Sequence, residues 1–341
     1  MRRSDRAFLI ALAALLVAAV LLHLGVARES PGIADSLRSL ASAVGIGTGD
    51  PVDEFVVTRI RLPRLVVALF GGASLGVAGA VMQATFRNPL ASPDIVGTAA
   101  GAAFGGAAAI VLGYAAKAIL IVPLFSLCGA LGVTWLVFAL AASASRFSTT
   151  ALLLAGVALN TLVGALTTFI VTFTFDNYTA SSRVLFWLMG GLDSRTWEHA
   201  SITAGGFFAF AALVVPRIRI LDLLTLGNDS IHALGLDAHG SRRGVLWLAC
   251  GLTATTVANT GGIAFVGLVV PHLARMLVGP SHRTLLPASA LLGALLLVLA
   301  DLGCRNVPPD WNLRLGVVTS MLGAPYFLWL LARHKRGEAL A

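Results

Sequence analysis

From Leu285 to Ala300 the chain carries no charged side chain, and comparable uncharged apolar stretches recur along its whole length. About 20 such residues suffice to cross the roughly 30 Å hydrocarbon core of a bilayer. There every backbone N–H and C=O must be paired within the protein, which leaves helices or a closed barrel. The stretches are continuous and do not alternate apolar with polar residues, so helices are expected over barrel strands. Composition agrees, since only 12% of the 341 residues are charged, against about a quarter in a soluble domain. The expected fold class is therefore all-α and polytopic, and with no long polar linker residues 1–341 read as one domain.

Ten spans are expected: Phe8–Gly25, Leu65–Ala84, Ile95–Leu112, Ala118–Ala141, Ala151–Phe173, Ser201–Val215, Gly244–Val257, Ile263–Val278, Leu285–Ala300 and Gly316–Leu331. An even count puts both termini on one side. Arg2, Arg3 and Arg6 precede the first span, and Arg333, Lys335 and Arg336 follow the last, so the positive-inside tendency reads both termini as cytoplasmic. A basic start, an apolar stretch and Gly25-Val26-Ala27 also fit a cleavable signal sequence, whose removal would leave nine spans. Arg87, Arg146, Arg217, Arg219, Arg242, Arg243 and Arg283 fall inside. Arg59, Arg61, Arg64, Arg305 and Arg314 fall outside, against the tendency, as solvated charges or as a basic rim for an acidic partner.

Polar interruptions carry the rest of the information. Arg87 to Asp94 holds two prolines, two charges and an Asn between apolar stretches. Arg61-Leu62-Pro63-Arg64 is expected to open the second span, with Pro63 in the first turn, where a missing N–H costs nothing. The segment from Asp176 to His199 carries Trp187 and Trp197, which suit an interfacial belt, around Gly190-Gly191. Asp222 to Gly227 reads as a short helix with a Gly stop, and Asn228 or Asp229 as the cap of a second, with Ser230 in its first turn. That pair makes either a connecting loop or a protruding docking knuckle.

Chemistry-bearing clusters are sparse. Cys128, Cys250 and Cys304 are isolated and read as small apolar residues. His272 is the one histidine worth weighing as a metal ligand, and it has no Cys, Asp or Glu close by in sequence, so no metal site is expected. The sequence has no G-x-x-x-x-G-K-[ST] phosphate loop. An ion-coupled secondary transporter would want an ionisable residue deep in a span; Asp301 is expected near a span end, facing outside.

Several segments resemble the FecCD-type permeases of type II ABC importers. They are Arg61-Leu62-Pro63-Arg64, Gly79-Ala80-Val81-Met82-Gln83, Phe86 to Gly97, Leu152 to Leu159, Phe186 to Gly191, Leu226 to Leu236, Gly267 to Arg275 and Gly323 to Leu331. They follow in order over almost the whole chain. The resemblance implies ten helices per subunit, a multi-pass place in the bacterial inner membrane, and a second permease subunit, identical or homologous. It implies a pair of ABC ATPase subunits that carry ATP–Mg, no cofactor in this subunit, and a periplasmic substrate-binding protein. The cargo would be an iron chelate, a ferric siderophore foremost, or haem or cobalamin. By the same resemblance Arg61, Arg64 and Arg305 receive the binding protein. The segment 222–236, with Leu226, Gly227, Asn228, Asp229, Ser230, Leu234 and Gly235, couples to the ATPase, and Asn88, Leu90, Thr149 and Thr150 line a cytoplasmic gate. Glycines such as Gly72, Gly76, Gly79, Gly101, Gly105 and Gly106 pack either within one subunit or at a dimer axis. Where the family usually has Glu-Leu-Pro before the last span, this chain has Asn312-Leu313-Arg314, an added positive charge at the outer mouth.

Overall fold

The computed structural model describes residues 3–26, 32–143, 149–174, 178–227 and 237–334. They form helices α1 (Arg3–Gly25), α2 (Ile33–Ala43), α3 (Pro51–Phe86), α4 (Thr98–Val111), α5 (Ile121–Ser143), α6 (Thr149–Thr172), α7 (Tyr178–Leu188), α8 (Trp197–Val214), α9 (Ile218–Leu226), α10 (Ala238–Thr260), α11 (Val266–Val278), α12 (His282–Asn306) and α13 (Leu315–His334). No strand occurs among the described residues. Each of the ten expected spans falls on a helix. Helices α1, α3, α5, α6 and α12 are long and apolar enough to cross a membrane; α4, α11 and the Leu315–Leu330 part of α13 are apolar but shorter.

Two segments outside the ten expected spans are also helical. Ile33–Ala43 forms α2. Helix α3 begins at Pro51, well before Leu65, because Asp50 caps it by accepting a 2.7 Å hydrogen bond from the Val52 amide, with Pro51 in the first turn. Pro63 then lies inside a continuous helix. A proline there removes one amide donor and crowds the carbonyl four residues back. That carbonyl belongs to Arg59, and the helix widens into a π-turn over Val56–Arg61, which accommodates the ring.

Helix α3 is the axis of the fold. It packs on α8, α10, α11 and α12, and 83% of its apolar window is buried, against 17% for the peripheral α6. Small residues make that possible. A Cβ added at Gly72, Gly76 or Gly79 would sit 2.2, 2.2 or 1.9 Å from the carbonyl oxygens of Gly293, Ser289 and Gly267. Gly101 and Gly105 stand as close to Gly129 and Phe125 of α5. Both glycine groups therefore serve packing within this subunit.

Two helices fall short of a bilayer. With 14 and 13 residues, α4 and α11 are each about 20 Å long at 1.5 Å per residue. Residues 87–97 and 261–265 supply the remaining depth as irregular chain, whose polar groups need partners in the protein. Asn88 Oδ1 accepts from the Leu90 amide at 2.9 Å, and Asn160 Nδ2 of α6 donates to the Asp94 carbonyl at 2.9 Å. The Gly191 amide donates to the Thr260 carbonyl at 2.7 Å. The third expected span accordingly starts at Thr98, since Pro93–Val96 is a 3-10 turn closed by Gly97.

Candidate docking, gating and coupling surfaces

The two ends of α3 define two sites, about 33 Å apart for the 22 residues from Arg64 to Phe86 at the usual rise.

At the Arg64 end, charged side chains from distant elements close on one another. Arg64 donates through Nε to Asp301 Oδ2 at 2.8 Å and through Nη2 to Asp301 Oδ1 at 2.7 Å. His23 Nε2 lies 2.8 Å from Asp301 Oδ2, and Arg305 Nη1 donates to the His23 carbonyl at 3.0 Å. Asp301, near the end of α12 as expected, is fully buried, because α1 and α3 close over this part of the helix. Arg61 is only 2% exposed and donates to the Leu24 carbonyl and to Ser36 Oγ. It ties the end of α1 to α2, so its guanidinium is turned into the protein. Arg59, two residues earlier, is exposed.

Asp193, in the turn between α7 and α8, accepts from Arg64 Nη1 at 2.8 Å and from Arg314 Nη1. Arg314 Cζ also lies over Phe186, 3.9 Å from its ring centre. The positive charge that sequence places at this mouth thus has a partner carboxylate and an aromatic face. Arg195, in the same turn, lies over Trp187 at 5.8 Å. Burial pushes its guanidinium down to about 10, with Asp193 opposing and Arg64 adding to the shift, so it stays a cation at neutral pH. Trp187 is buried, and its indole fills the space where Gly106 lacks a Cβ; only Trp197 keeps the exposure expected of a belt residue.

The backbone is equally crowded. Gly190, at φ +68, abuts the Gly262 carbonyl, and a Cβ on Gly316 would meet the carbonyls of Gly262 and Met189 at 2.3 Å each. The end of α7, the 261–265 break and the start of α13 cross there. Beside them a cavity of about 470 Å³ reaches Asp94, Met189, Ile263 and Ser320.

At the other end, the helix α3 stops on Arg87, at φ +49. Asn88 is exposed and Leu90 half-buried. Thr149 and Thr150 open α6, and Thr149 Oγ1 accepts from Arg242 Nη1 of α10 at 3.4 Å. Helix α6 also holds the 87–97 break through Asn160 and through Gly156, where a Cβ would lie 2.0 Å from the Ile95 carbonyl. The structure thus joins the two gate segments named from sequence. Leu226, 73% exposed, ends α9. Gly227 has φ +127 and ψ 167, a conformation that side chains rarely adopt. A Cβ there would stand 3.5 Å from Arg87 Nη1, so the end of α9 lies beside the start of the break. Asn228, Asp229, Ser230, Leu234 and Gly235 lie outside the described residues.

One feature of α9 has no signal in local sequence. Asp222 Oδ1 accepts from the His282 amide at 3.0 Å and lies 2.7 Å from His282 Nδ1. A side chain from α9 therefore caps α12, sixty residues later. His272 is buried with neither ring nitrogen bonded, facing the Tyr326 ring at 6.3 Å. Among the described residues no group of three or more His, Cys, Asp or Glu is placed to hold a metal ion.

Residues 15–333 match the FecCD transport family. The chain is 38% identical to the cobalamin import system permease protein BtuC of Halobacterium salinarum, over 89% of this chain and 80% of that one. It is 40% identical to the Fe(3+) dicitrate transport system permease protein FecD of Escherichia coli, over 82% and 86%. Among solved structures, one described as a metal-chelate type ABC transporter in an inward-facing conformation superposes with a TM-score of 0.84. It is 32% identical, with 96% of this chain and 99% of that chain covered.

Proposed function

The chain belongs to the FecCD transport family, and from that premise we propose that it carries a metal chelate, a ferric siderophore foremost, from a periplasmic binding protein to the cytoplasm. It is a membrane permease of ABC importer type. The relatives' names differ in cargo, cobalamin for one and ferric dicitrate for the other, and the iron-chelate reading follows the second of these. Both termini and Gly227 lie on the cytoplasmic side in this reading, and the Arg64 end faces outward.

The observation that carries the mechanism is the closeness of Gly227 to the Arg87 side chain. ATP binding closes a separate ATPase pair, which seats the knuckle that follows α9. Asp222 ties α9 to the start of α12, and Gly227 lies beside the segment that holds Asn88 and Leu90. Movement of the knuckle then reaches the gate residues Asn88, Leu90, Thr149 and Thr150 through α9, the 87–97 break and α6. The continuation of the knuckle beyond Gly227, with Asn228, Asp229, Ser230, Leu234 and Gly235, supplies the ATPase contact. At the outer end Arg59 and Arg305 offer positive charge to an acidic binding protein, Arg64 sits beside them paired with Asp301 and Asp193, and Arg61 holds the helices that present them. The partner permease subunit is identical or homologous. The Arg64–Asp301 clasp leaves Asp301 no freedom to cycle a proton, which supports ATP-driven over ion-coupled transport.

The test is uptake in proteoliposomes holding the permease, its companion ATPase and the binding protein. Accumulation should require ATP and all three components. Gly227→Val should keep ATP hydrolysis and lose most uptake. Uphill uptake by the permease alone, with no hydrolase, overturns the reading.

A further inference from the structure

We infer that the cleft between α7 and the α4–α5 turn at the outer end receives a small carboxylate-bearing anion, and that the transported chelate is therefore anionic. This rests on the importer reading above and adds a site and a charge class to it. The cleft has a volume of about 620 Å³, the size of a small-molecule site. One wall is apolar, with Ile110, Ile119 and Val122, and the other carries Arg183, Arg195 and Arg314.

The cations outnumber their counter-charges. Asp193 is the carboxylate in this lining, and it is already shared by Arg314 and Arg64. Arg195 Nη2 reaches no more than the Gly191 carbonyl at 3.5 Å, and the Nε atoms of Arg195 and Arg314 are enclosed without a partner. A shielded guanidinium short of acceptors is costly, because it has left water without replacing its hydrogen bonds. The cost falls when an anion arrives. Both guanidinium groups lie over aromatic rings, Arg314 on Phe186 and Arg195 on Trp187. A ring beneath a guanidinium uses none of its N–H donors, which stay available to a carboxylate that matches them in a forked pair. The apolar wall suits the body of an organic ligand. A bare inorganic ion would use the arginines alone.

The experiment is calorimetric titration of the full-length permease in lipid nanodiscs with gallium(III) citrate, a redox-inert anionic chelate, and with a cationic gallium hydroxamate chelate of similar size. Gallium citrate should bind saturably and more weakly at high salt, and the cationic chelate should not bind. Arg195→Gln and Arg314→Gln should each weaken citrate binding roughly tenfold or more, the loss expected for a hydrogen bond to a charged group. Arg314→Gln also breaks the pair with Asp193, so Arg183→Gln, at an exposed side chain, provides a variant that leaves the packing intact; it should weaken binding in the same direction. Equal binding of the two chelates, or wild-type affinity in all three variants, overturns the inference. So does absence of citrate binding with loss of binding-protein association in the variants, which would give the cleft to an acidic side chain of that protein. Co-purification with the ATPase, scored on the same preparations, separates the two claims. Its presence without citrate binding removes this inference alone, and its absence removes the importer reading.

Discussion

Arg64 holds Asp301 in a forked pair, 2.8 and 2.7 Å, across 237 residues of sequence. Asp301 has no exposure at all, and His23 stands on its other side. Removing one member of a buried pair strands a charge and costs about 3–5 kcal/mol, whereas replacing both with apolar residues is often neutral or stabilising. Asp301→Ala should therefore lower the unfolding temperature of the detergent-solubilised protein strongly, and Arg64→Met combined with Asp301→Leu should recover most of the loss. A double variant no better than the single one would show that the clasp adds more than charge neutralisation.

Asp222 should matter for coupling more than for folding. Its carboxylate caps the α12 amide at His282, a contact worth roughly 1 kcal/mol of stability. Asp222→Ala should leave the protein folded and assembled with its ATPase, and reduce the uptake achieved per ATP hydrolysed. Unchanged stoichiometry of uptake to hydrolysis would disconnect α9 from α12.

Glycines of the same chain should respond in opposite ways. A methyl at Gly79 would lie 1.9 Å from the Gly267 carbonyl, while Gly205 of α8 has open space around its Cβ position. Gly79→Ala should destabilise by about 1–3 kcal/mol or more as α3 and α11 are forced apart. Gly205→Ala should stabilise by up to about 1 kcal/mol through helix propensity. Thermal unfolding of the two purified variants compares them directly, and similar shifts would contradict the packing described here.

The outer arginines should separate into a docking residue and a structural one. Arg59 is exposed and Arg61 is buried against Leu24. Arg59→Glu should slow association with the binding protein, most visibly at low salt, without changing the melting temperature. Arg61→Glu should lower the melting temperature first, because it buries a charge facing a carbonyl. Normal docking by Arg59→Glu would move the rim elsewhere.

Span positions were legible in sequence because apolar length alone determines them. So was the glycine stop at Gly227, because a helix end followed by a new polar start needs a residue free to take positive φ. Helix starts were less legible. Asp50-Pro51 is a cap and first-turn signal hidden by the better-known Arg61-Leu62-Pro63-Arg64, and the π-turn that lets Pro63 sit mid-helix has no local signature. The surroundings of the charges were not legible, for a different reason. Whether Arg61, Asp301 or Arg314 faces water depends on Leu24, Arg64 and Asp193, partners far along the chain that no window of sequence brings together. The Asp222 cap on His282 was invisible on the same ground.

The clasp also sets a schedule for biogenesis. Arg64 leaves the ribosome 237 residues before Asp301, an interval of roughly 12–50 s at 5–20 residues per second. Until then Arg64 can pair with no more than the exposed Asp193, and the last third of the polypeptide must arrive before its buried partner is in place. A chain truncated before α12 should therefore be retained or degraded by quality control and should not accumulate as a stable partial bundle.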